Sequence, residues 1–196
     1  MTEDYLRYCD LEKYLFEDVR LRFHAEGKLD AFDLLSIIIW KANRSKSRLA
    51  QRLMRLVSDG SLETAASQFT TALFTAESPE KRLLLAMKDW GFRLPMASAI
   101  LTVLWPEEFT VYDVRVCGEL AGANLENFKR LVNLAPGRVW TKYCEYREAV
   151  RRSVTEPLTL RDKDRFLWGR SAAKQLIEDI SKGFAKTGGQ ADEGAA

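Results

Sequence analysis

The sequence predicts an all-α protein. Apolar residues recur every three or four positions along most of the chain, the intervals between those runs carry helix caps, glycines and prolines, and no stretch alternates with the period of two that marks a strand. With 196 residues, 46% hydrophobic and 30% charged, the chain has the composition of one compact folded unit.

The first helix is expected from Asp4 to Ala25, with Tyr5, Tyr8, Cys9, Leu11, Leu15, Phe16, Val19 and Phe23 on one side and Gly27 as its end. A second begins at Leu29 or Asp30 and runs through AFDLLSIIIWKA; it is apolar on most of its surface, which places it at the centre of the fold. Asn43 to Ser47 reads as a turn, followed by a helix that starts at Arg48 and is stopped by Asp59-Gly60. Ser61 with Thr64 opens the next, to Phe74. Ser78 as cap, Pro79 at the first helical position and Gly91 just past the end delimit another. Ala97 to Leu104, ended by Pro106, precedes helices over Val114–Leu120, Leu125–Leu134, Val139–Arg152 and Leu160–Lys182, the last opened by the capping pattern of Thr159 and Asp162. The single unit is expected to span residues 1–182, with 183–196, rich in small residues, as a disordered tail.

Several chemistries are excluded early. Cys9, Cys117 and Cys144 form no C-x-x-C pair, so no disulfide framework, zinc site or iron–sulfur cluster is expected, and the three read as buried free thiols. No cofactor and no metal are expected. The one histidine, His24, has no triad context and reads as structural or solvated. No apolar run is long enough to cross a bilayer and the N-terminus is too charged for a signal peptide, so a cytoplasmic protein with no membrane partner is expected.

The net charge of +2 hides a cluster. Lys41, Arg44, Lys46, Arg48, Arg52 and Arg55 follow one another with no acid until Asp59. Such a field suits a polyanion, and a solvated helix face has the same composition. Further on, Gly91 to Leu101 reads as helix, short turn, helix. A glycine supplies the positive φ there, and the first amides of the second helix, around Met96 and Ala97, would face one phosphate; ordinary helix junctions share the pattern.

Residues 91 to 116 resemble the signature of the helix-hairpin-helix DNA glycosylase superfamily, which includes endonuclease III and the adenine and alkylpurine glycosylases. GFRLPMASAIL aligns with the family's LPGVGRKTANVVL, and TVLWPEEFTVYDVRV brings Asp113 to the aspartate of VDTHV at the same spacing. Upstream, LLSIIIWKANRSKSRLAQRL resembles the family's central LLSAQ helix and the turn after it, so the likeness spans roughly residues 30 to 120. The resemblance implies a two-lobed helical fold, with a central lobe over about 30–120 and the N-terminal and C-terminal helices forming the second. It also implies a DNA partner, expected as duplex, and hydrolysis of the N-glycosidic bond of a modified base. Asp113 would stabilise the charge that develops on the sugar or activate water. Gly91, Arg93, Met96, Ala97, Lys41, Asn43, Arg44, Lys46, Arg48 and Arg115 would contact DNA, Asn43 and Arg44 as the wedge. Trp40, Trp105 and Tyr112 would stack on the extruded base.

Five positions carry a second reading. Asp113 is placed to cap the following helix. The tryptophans fit core packing equally. Lys41, at a helix C-terminus, either faces the helix dipole or puts an amine in the pocket. Arg93 stands where the family has its second hairpin glycine, so it either accepts backbone strain or contacts phosphate through its guanidinium. Pro95 stands where the family's Schiff-base lysine falls and Arg115 where its histidine falls, so the implied enzyme is monofunctional. The alternatives on the same residues are a non-catalytic nucleic-acid-binding module and a helical protein–protein adaptor.

Overall fold

A computed structural model of the chain describes residues 5–122 and 128–184, and every regular element among them is helical. The first expected helix forms as a relay: a 3-10 turn over Tyr5–Tyr8, α1 over Leu11–Tyr14, a π turn over Leu15–Val19 and α2 over Arg20–Glu26. Asp10 opens α1 by accepting the Lys13 amide, and Gly27 closes α2 in the left-handed region. The Asp4 end of that expectation lies outside the described residues.

Asp30 caps α3 (Ala31–Ala42), and Leu34, Ile37 and Ile38 on it are fully buried. An apolar circumference has no side to give to solvent, so α3 sits inside the fold, as its composition requires. A 3-10 turn over Asn43–Ser45 leads into α4 (Lys46–Met54), followed by α5 (Leu62–Thr75) and α6 (Pro79–Leu84), which continues as a π turn over Leu85–Asp89. Gly91, at φ +65°, then reverses the chain, and the Phe92 amide reaches back to the Ala86 carbonyl at 2.9 Å. That bond, one residue wider than a Schellman bond because the helix ends in a π turn, closes the helix end and seats the Phe92 ring beside Phe69.

The chain goes on into α7 (Leu94–Leu104), α8 (Val114–Gly122), α9 (Pro136–Ser153) and α10 (Leu160–Ser181). α5, α7 and the N-terminal relay pack on α3, while α10 lies against α8 and α9. One core cluster runs through both sets, from Tyr14 to Leu167. No helix among the described residues is long and apolar enough to cross a membrane.

Several expectations are corrected. α4 starts at Lys46, inside the expected turn, and ends at Met54 rather than at Asp59-Gly60, and α9 starts at Pro136 rather than Val139. α7 starts at Leu94 rather than Ala97, because Pro95 is compatible with a first helical turn, where no amide is needed. In place of a helix over Leu125–Leu134 there is a 3-10 segment over Phe128–Asn133; its buried pair, Phe128 and Leu131, is three residues apart, the spacing that three residues per turn aligns. The Leu125 to Asn127 part lies outside the described residues. Of the cysteines only Cys117 is buried; Cys9 is exposed just ahead of α1, and Cys144 is intermediate. In the tail, Gly183 and Phe184 form a turn, and 185–196 lie outside the described residues.

Candidate active site

The segment from Pro106 to Asp113 joins α7 to α8 without regular structure, yet Phe109, Thr110, Val111 and Tyr112 in it are buried. Buried backbone must find partners, and here side chains provide them. The Thr110 amide donates to the Tyr143 hydroxyl at 3.0 Å, and that hydroxyl donates to the Thr110 carbonyl at 2.6 Å. The Tyr146 hydroxyl donates to the Val111 carbonyl at 2.9 Å, and the Tyr112 amide donates to Ser98 Oγ at 2.9 Å. α9 and α7 thus hold the segment in place.

Asp113 ends that segment with both carboxylate oxygens engaged. Oδ1 accepts the Arg115 amide at 2.9 Å, the side-chain cap of α8, while the Asp113 carbonyl takes the Cys117 amide at 2.9 Å. Oδ2 lies 2.7 Å from Nζ of Lys41, which projects from the last turn of α3. The two side chains are 18% and 16% exposed, enough to be reached by a small molecule.

The pair lines a cavity of about 450 Å³ together with Trp40, Val111, Glu12, Arg161, Asp164, Arg165 and Trp168. That volume is in the range of small-molecule sites. Arg161 is held by Glu12 (Nη2 to Oε1, 2.9 Å) and by Asp164, and its guanidinium lies 5.1 Å from the Trp40 ring centre and 5.3 Å from that of Phe16. Asp164 itself is buried, at 2% exposure. Loss of solvent pushes its carboxyl up to about 6; the Arg161 and Lys41 cations pull the other way, and the Asp113 charge adds to the rise. The cavity therefore holds aromatic faces, three cations and carboxyls in different environments, the materials of acid–base chemistry.

The structure distributes the sequence-derived candidates unevenly. Asp113, Lys41 and Trp40 meet in the cavity. Arg115 stands at its edge, with its guanidinium 5.5 Å from the ring centre of Trp168. Asn43 and Arg44 are exposed in the 3-10 turn that leaves α3, and Lys46, Arg48, Arg52 and Arg55 are exposed on or beside α4. Gly91 touches this face: a Cβ there would overlap the Arg52 guanidinium.

Other assignments are corrected. Tyr112 is not a stacking surface: it is fully buried and its hydroxyl donates to the Phe128 carbonyl at 2.8 Å. Its neighbours Val111 and Asp113 line the cavity, and in an extended segment the residue between them points the other way. Trp105 packs edge-on against Phe23 and His24 under the Arg82 guanidinium, away from the cavity lining. Met96 and Ala97 are buried and both amides bond to the Arg93 carbonyl, so they offer nothing to a phosphate. Arg93 is exposed with φ −73° and ψ 157°, an unstrained extended conformation that any residue adopts.

Asp164, Arg161, Trp168 and Glu12 were missed, as were the anchoring tyrosines. One signal was available for Asp164: it shares a stripe with Leu160 and Leu167, so a carboxylate occupies a core-facing position of an amphipathic helix. The chain matches no protein-family model, no curated protein and no solved structure.

Proposed function

We propose that the protein binds duplex DNA and excises a modified base by hydrolysing its N-glycosidic bond, on a two-lobed, helix-hairpin-helix glycosylase-like scaffold. One observation carries this reading. The Asp113 carboxylate is fixed at both oxygens in a cavity that Trp40 and Trp168 line with aromatic faces. Breaking the bond develops positive charge on the sugar, and a carboxylate whose position is set beforehand stabilises that charge without reorganising during reaction. An extruded base stacks on the aromatic faces.

The electrostatics of α4 support a DNA partner. Several arginines elsewhere are matched to acids, as Arg22 is to Asp33, Arg82 to Glu108 and Arg170 to Glu119, while others such as Arg115 are not, among the described residues. Among the described residues, Arg48, Arg52 and Arg55 form no ion pair. They follow Lys41 in the chain, and Arg52 lies beside Gly91, so a strand gripped by this face would pass the α6–α7 junction. Pro95 has no amine at the hairpin, so the excision proceeds by hydrolysis alone.

Base release from a panel of lesion-bearing duplexes tests the proposal. Asp113→Asn is expected to release base more slowly by about 10³-fold. Equal release by the variant, or none by the wild type on any duplex, removes it.

A further inference from the structure

A second carboxyl faces the cavity, and the excision chemistry described above gives it no task. Asp164 lies on the core side of α10, and among the described residues its side chain hydrogen-bonds only to Arg161. The groups around it are Lys41 from α3, Asp113 ahead of α8, Tyr143 and Tyr146 from α9, and Glu12 from α1 through the shared Arg161. Lys41 is committed to Asp113, and Arg161 to two acids.

We propose that Asp164 is the acid that protonates the departing base, opposite in role to Asp113, an inference that rests on the base-excision reading. As the bond between the sugar C1′ and the base nitrogen breaks, its electron pair goes to the base, which takes the Asp164 proton. Water adds to C1′ and gives its proton to Asp113, and exchange with solvent returns the proton to Asp164. A leaving base that carries off a full negative charge departs far more slowly than one that is protonated as it leaves. Burial suits Asp164 to this, because its carboxyl keeps a proton up to about pH 6 while Asp113 sits in an ion pair.

The test is single-turnover base release from about pH 5 to about pH 8 on whichever duplex the wild type cleaves, compared with Asp164→Asn and Asp164→Glu. The wild-type rate is expected to fall about tenfold per pH unit above the Asp164 ionisation. Asp164→Asn should be slower by about 10²-fold or more and lack that fall, and Asp164→Glu should restore both. A wild-type rate that is level through this range, or an Asn variant that keeps the wild-type rate and fall, overturns the role of Asp164 and leaves base excision standing. No release by the wild type overturns both. If Asp164→Asn does not fold, carboxyl-carbon NMR of the wild type decides: the Asp164 titration must coincide with the fall in rate, and separation of the two refutes the proposal.

Discussion

Two carboxylate clusters sit at opposite ends of α3 and are built to opposite designs. At the first turn Asp33, 2% exposed, takes a two-nitrogen grip from Arg22 and a 2.6 Å bond from the Tyr14 hydroxyl, which itself accepts from Arg22 at 2.7 Å. Burial, then the Asp33 bond and charge, push the Tyr14 hydroxyl up to about 12, so it remains a donor at any ordinary pH. The adjoining cavity is about 130 Å³. At the last turn the Lys41–Asp113 pair opens on about 450 Å³, with a second carboxyl displaced from its ordinary pKa. A buried charge whose bonds are closed on themselves ties helices together. At the other end the same kinds of group line the larger cavity.

The largest difference should appear on breaking the closed cluster. Asp33→Ala leaves Arg22 and Tyr14 without their acceptor and should cost about 3 kcal/mol, read from urea unfolding; an effect under about 1 kcal/mol would erase the contrast between the ends of α3. At the open end, removing charge should stabilise. The Asp164 carboxyl titrates near 3.8 in an ordinary setting and near 6 in the fold, so the folded chain holds that proton more tightly. Wild-type stability is then greatest below pH 3.8 on this account and declines as pH rises through about 6. Asp164→Asn escapes the decline and should exceed wild-type stability by about 2 kcal/mol at neutral pH, with the gap closing towards low pH in parallel melts. The smallest effect belongs to the basic face. Arg48→Ala with Arg52→Ala should leave melting unchanged within about 0.5 kcal/mol and lower the slope of log affinity for duplex DNA against log salt by about 2.

Helix existence was legible because it depends on local features: Ser61, Ser78 and Thr159 all cap where their side chains are expected to. The spacing that singled out Asp113, and the alternative that placed the Lys41 amine in the pocket, also meet in one cavity. What escaped reading was direction. Whether Tyr112 or its neighbours face the cavity depends on a segment whose bonds come from Tyr143 and Tyr146, over thirty positions away. Glu12 and Arg161 are separated by 149 positions and are joined only by the packing of the finished fold. The aromatic wall was sought at Trp105 and lies instead at Trp168, since helical periodicity marks both as apolar and does not distinguish lining from packing.

α3 also behaves as a rod clamped at its far end. Asp33 and Lys41 are about 12 Å apart along its axis. The grip of Arg22 and Tyr14 therefore sets how far the ammonium extends into the cavity, and slippage at the anchor would pull Lys41 out of register with Asp113 before any helix came undone.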